Sequence, residues 1–176
     1  METAQYWIDL LQLTPHPEGG YYREIYRADE LMAQDSLPER YRKVPHVFST
    51  AIYFLLKAGE PSKFHRLQSD ELWHYYAGSP VSIHLIDERG EYERRVLGPD
   101  YAQGQAFMQN IPRQSWFGAT VDAVSTDTSE KKNPHGFVLL GCTVAPGFEF
   151  GDFELAGRKD LLAQYPQYAS LIHELT

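Results

Sequence analysis

From Tyr22 to Val144 the chain is cut into short extended runs, and glycine or proline stops nearly every one. "YYREIYR" alternates, "STAIYFLLKAG" is an almost unbroken apolar run, and "ELWHYYAG", "VSIHLID", "EYERRVLG", "QAFMQNIP", "SWFGA" and "GFVLLGCTV" follow. The separators are "GSP", "ERG", "GPDYAQG" and "PRQ". Short strands with turn signals this frequent predict a sandwich or a barrel, an all-β fold. "STAIYFLLKAG" predicts a strand buried on both faces, and "ERG" a tight hairpin turn. The polar stretch 122–135 predicts an exposed loop.

The two ends read differently. Thr3 is placed to cap a short helix carrying Trp7, Ile8, Leu10 and Leu11, which "TPHPEGG" then breaks. "RKDLLAQYPQYASLIHEL" predicts closing helices, with Pro166 at a helix start. A chain of 176 residues fits one domain. The expected division is a helical start over about 3–13, a barrel over about 20–155 and helices over about 158–175.

Charge and cysteine content narrow the partners. A net charge of −8 argues against nucleic acid and anionic membrane, since both require a basic face. The one cysteine, Cys142, excludes an intrachain disulfide and predicts an inert buried thiol. No basic start precedes an apolar signal-like run, and no stretch nears the about 20 apolar residues of a membrane span. The expectation is a cytoplasmic protein.

One stretch, "GEPSKFHRLQSDELWHYYAG", carries most of the chemistry. Gly59, His65, Leu67, Glu71 and Gly78 are spaced as in the first motif of the cupin superfamily, with Leu67 where that motif has its second histidine. Gly104, Pro112 and Trp116-Phe117 fall where the second motif belongs, with Gln114 in place of its glycine and an aromatic in place of its histidine. "HPEGGYYREIYR", "STAIYFLL" and "CTVAPGFEFGDFELA" extend the likeness over roughly residues 13–175. On these segments the chain resembles a small single-domain cupin family of uncharacterised function. The resemblance implies an antiparallel double-stranded β-helix, the cupin jelly-roll barrel, with short terminal helices. It also implies a fold likeness to deoxysugar epimerases and seed-storage cupins.

Metal-bearing cupins hold their ion with three histidines and a glutamate. Here the motif positions supply only His65 and Glu71, so no metal or other cofactor is expected. Strand alternation sends His74 to the face opposite Glu71, Trp73 and Tyr75, so if Glu71 points into the barrel His74 points out, and only a bulge between them would reverse this.

The resemblance therefore implies a pocket with His65 and Glu71 as catalytic candidates. Trp73 and Tyr75 follow by parity, Lys63 by its parity with His65, and Tyr53, Gln114 and Trp116 from neighbouring strands. Arg23 is the candidate for an anionic group on the ligand. A histidine oriented by a carboxylate, facing a tyrosine and a cation, suits proton transfer next to a carbonyl. The expected function is a metal-independent isomerase or epimerase on a carbohydrate-like or other small polar substrate. The alternatives are a non-catalytic ligand-binding or sensing cupin, and a metal-dependent enzyme with unusual ligands. Arg66 and Asp70 are expected in a structural salt bridge, and His16, His46, His135 and His173 receive no role. Phe148, Phe150 and Phe153 are expected to pack on the barrel or on a second subunit, and a homodimer is the expected assembly.

Overall fold

The computed structural model describes residues 2–41, 44–122 and 136–176. The strands are β1 (Thr14–Pro15), β2 (Tyr21–Arg27), β3 (Thr50–Lys57), β4 (Ser62–Arg66), β5 (Asp70–Gly78) and β6 (Val81–Ile86). They continue with β7 (Tyr92–Leu97), β8 (Met108–Ile111), β9 (Trp116–Val121), β10 (Phe137–Ala145) and β11 (Glu154–Leu155). Three α-helices flank them: α1 (Ala4–Leu11), α2 (Arg158–Gln164) and α3 (Ala169–Glu174).

Two antiparallel sheets face one another, ordered β1-β2-β3-β10-β5-β8 and β11-β4-β9-β6-β7. Neighbours such as β3 and β10, or β4 and β9, are far apart in sequence, which is the jelly-roll arrangement. The interior between the sheets holds Phe54, Leu56, Trp73, Ile83, Phe117 and Leu140, among others. Each such side chain contributes about 1.5–3 kcal/mol by leaving water.

The apolar run of β3 is buried on both faces, as its sequence predicts. Leu56 points into the barrel, while Leu55 lies on the other side beneath α1, against Ile8 and Leu13. Thr3 caps α1 by accepting from the Tyr6 N–H at 3.2 Å. The stripe is narrower than the sequence suggests, since Leu10 is exposed. At the other end, α2 and α3 cover Phe64, Ile86 and Trp116 on the outside of the second sheet. The "ERG" turn closes the β6–β7 hairpin, with the Gly90 N–H donating to the Asp87 carbonyl. The expected loop 122–135 lies outside the described residues, apart from Asp122.

Gly78 ends β5 at φ +97°, and a Cβ there would sit 2.2 Å from the Phe137 carbonyl oxygen. Only glycine closes this contact between β5 and β10. No helix among the described residues is long and apolar enough to cross a membrane.

Candidate active site

A cavity of about 240 Å³ opens at one end of the barrel, between β2, β3, β4, β5, β10 and the segment that follows β10. His65, Leu67, Glu71 and Trp73 all line it. The motif residues thus share one hollow, and His74 does not line it.

The partner of His65 is Glu18, not Glu71. His65 Nε2 lies 3.1 Å from Glu18 Oε2, and His16 Nδ1 lies 3.2 Å from the same oxygen. Ser62 donates its hydroxyl to Glu18 Oε1 at 2.8 Å. The "HPEGG" turn brings Glu18 there. Its Gly19 has φ +111°, and a Cβ would stand 2.4 Å from the Pro61 carbonyl oxygen. The Lys63 N–H donates to the Glu18 carbonyl at 2.8 Å, which fastens the turn to β4. A histidine and an acid beside a glycine pair were visible in the sequence. Nothing local showed that this turn presses on the motif strand.

His65 is almost fully buried, with its ring 3.9 Å from that of Phe117. Its Nδ1 lies 2.7 Å from the Lys63 carbonyl, which can only accept. Both ring nitrogens therefore face acceptors. Burial pushes the His65 imidazolium below its ordinary pKa, against the pull of Glu18 and the Lys63 carbonyl. Burial would raise the Glu18 carboxyl, but His65, His16 and Ser62 outweigh it and hold Glu18 below the usual carboxylate value.

Glu71 behaves oppositely. Burial, then the charge of Glu18, push its pKa up to about 8, against weaker opposition from Trp73 and Cys142. Burial raises the Cys142 thiol pKa well above its ordinary value. Trp73 Nε1 is buried without a hydrogen-bond partner, so its N–H is felt by Glu71 without completing a bond.

At the mouth, Arg27 bonds Glu149 at 2.7 Å and Glu24 at 3.0 Å. It reaches this position because β2 carries a bulge between Glu24 and Tyr26. The extra residue, Ile25, shifts the alternation by one, so Tyr22, Glu24 and Arg27 share the cavity side. Phe148, Phe150 and Phe153 form a wall of the same cavity. This wall is anchored by a buried His46–Asp152 contact and by the Phe148 N–H donating to Thr50 Oγ1 at 2.9 Å.

The other expected pocket residues lie elsewhere. Arg23 and Tyr53 are paired on the outer face of the first sheet, where Arg23 donates to the Leu11 carbonyl and Tyr53 meets Tyr76. Lys63 is exposed and only its backbone serves the site, because β4 is irregular between Ser62 and His65 and the alternation fails there. Tyr75 packs on the barrel core beyond the cavity lining and donates to the Gly78 carbonyl. Gln114 turns towards Gln68. Trp116 faces outwards under the Arg66 guanidinium, and its neighbour Phe117 takes the inward place. Arg66 and Asp70 each form an ion pair, with Glu154 and Arg113 respectively.

Leu67 stands where the cupin motif has its second histidine and lines the cavity, and the Nε2 of His65 faces Glu18 at 3.1 Å. Among the described residues, no group of three or more His, Cys, Asp or Glu is arranged to hold a metal ion.

Comparison with known proteins agrees with this architecture. A hypothetical protein from Leishmania major is 34% identical, with a TM-score of 0.86 over 99% of each chain. Protein SO0799 from Shewanella oneidensis is 37% identical, with a TM-score of 0.82 over 100% of this chain and 98% of that one. The uncharacterized protein YML079W of Saccharomyces cerevisiae is 27% identical over 165 residues, 91% of this chain and 78% of that one. A variant of Bacillus subtilis oxalate decarboxylase superimposes with a TM-score of 0.52 at 12% identity, a likeness of fold alone. The family model described as "Cupin superfamily (DUF985)" matches residues 5–156, and the chain belongs to that family.

Proposed function

We propose that the cavity binds a small carbonyl compound and moves a proton at the carbon beside the carbonyl, as an isomerase or epimerase does. One observation carries this reading. Two buried carboxyls line one cavity and are driven apart, Glu18 downwards and Glu71 up to about 8. Such a split assigns a base and an acid within a single site. Near neutral pH Glu71 is a protonated acid, able to donate to a carbonyl oxygen. The Glu18–His65 pair is the proton acceptor, with the Lys63 carbonyl fixing the imidazole. This replaces the His65–Glu71 pair that the motif alone suggests.

The test is exchange of carbon-bound hydrogen in D2O, followed by proton NMR over a panel of hydroxyketones, aldoses and their amino and deoxy analogues. The expected result is loss of one α-proton signal. Glu18→Gln, His65→Gln and Glu71→Gln should each slow that loss about a hundredfold or more. Full exchange in Glu18→Gln or Glu71→Gln would remove that group from the chemistry.

A second reading has its own support. His65 Nε2 is engaged by Glu18 rather than left free, which suits a non-catalytic binding or sensing module. That reading predicts ligands that raise the melting temperature and lose no proton.

A further inference from the structure

From the inventory of donors and charges around the cavity, we infer that its ligand is an uncharged carbonyl compound presenting its oxygen to Trp73 and Glu71, and that anions are excluded. The location rests on the acid–base reading above, but the argument concerns binding alone.

The floor offers donors. Trp73 Nε1 is a buried N–H with no partner, and an indole can only donate. Leaving such a group unpaired costs about 1–3 kcal/mol, which a ligand oxygen would recover. Trp7 and Trp116 carry the same orphan, but neither lines this cavity. Glu71 lies beside Trp73 with its proton retained near neutral pH, so it supplies a second donor. A carbonyl oxygen has two lone pairs and satisfies both.

The surrounding charge rejects an anion. Besides Glu71, three glutamates (Glu18, Glu24 and Glu149), one arginine and two histidines line the cavity. The arginine, Arg27, already bonds Glu24 and Glu149, so it offers little to an incoming carboxylate or phosphate. The charge on Glu18 raises the cost of ionising Glu71 in the same hollow, and a ligand carboxylate would meet the same opposition. This reverses the expectation that arginine binds an anionic group on the ligand. The apolar remainder of the ligand meets Phe148, Phe150 and Phe153. At about 240 Å³ the space falls below the roughly 300–1,000 Å³ usual for drug-sized ligands, so the ligand is small.

Benzamide, benzoate and benzamidinium share one ring and nearly one shape, and differ in charge. Each is titrated into the full chain at neutral pH, with the Trp73 indole N–H followed by nitrogen–proton NMR and assigned with Trp73→Phe. Benzamide is expected to shift the Trp73 resonance and to bind at least about tenfold more tightly than benzoate or benzamidinium. Trp73→Phe is expected to weaken benzamide severalfold. Should Trp73→Phe fold poorly, Trp7→Phe and Trp116→Phe assign the Trp73 resonance by elimination among the three tryptophans, and the wild-type series stands. Benzoate or benzamidinium matching benzamide overturns the inference, and so does a Trp73 resonance that none of the three moves. A cavity that binds benzamide yet exchanges no α-proton keeps the ligand class and loses the catalytic reading. Exchange with a preference for anions does the reverse.

Discussion

Glu71 is a titratable group whose burial has a measurable price at the scale of the single residue. Its folded pKa of about 8 lies above the ordinary 4.5, so the folded state retains a proton that the unfolded chain has released between those values. Stability from this group is complete below pH 4.5 and is lost as pH rises through 8. Glu71→Gln keeps a neutral side chain of similar shape and cannot ionise. It is expected to match the wild type near pH 4.5 and to exceed it at pH 8 by about 4 kcal/mol in urea unfolding. Equal differences at the two pH values would mean that Glu71 ionises freely in the fold. The motif spacing showed that position 71 belongs to the interior. It did not show whose charge would act on it, because Glu18 is 53 residues earlier in the chain (71 − 18) and meets it only through folding.

At the scale of elements, the site depends on departures from regular alternation. The bulge at Ile25 puts Arg27 rather than Tyr26 on the cavity side, and the irregular stretch of β4 lets Ser62 and His65 both reach Glu18. Counting by twos therefore places Trp73 correctly and Lys63 wrongly. The "EGG" turn is the third such device. Gly19→Ala would force a Cβ to within 2.4 Å of a backbone oxygen at a φ of +111°, where no flexible side chain can yield. It is expected to cost about 2–4 kcal/mol in denaturant unfolding. The same variant should weaken benzamide binding, since Glu18 moves with the turn. A stable variant with an intact site would show that the turn does not hold Glu18 in place.

At the scale of the whole molecule, the barrel interior is closed at its core and hollow at one end. The aromatic segment after β10 closes over that end and is held through its own Asp152 by His46, 106 residues away in the chain. Short β8 borders the first sheet, with Phe107 and Met108 exposed beside it. Such an edge offers unpaired backbone to another strand. The expected homodimer would cover it, and light scattering at micromolar concentration should then return twice the mass of the 20.2 kDa chain. A single-chain mass would end that expectation.

The sequence by itself determined the strand-and-turn pattern, the capped first helix, the inward placement of His65, Leu67, Glu71 and Trp73, and the outward turn of His74. Strand alternation, fixed by covalent geometry, sets Trp73 with Glu71 and His74 opposite them, and the cupin resemblance supplies which face is the interior. Only the tertiary structure decided that Glu18 sits against His65, that Arg27 stands at the mouth in place of Arg23, and that Tyr53 and Trp116 face away. Those facts arise from bulges and from contacts between distant segments, and local alternation carries no information about either.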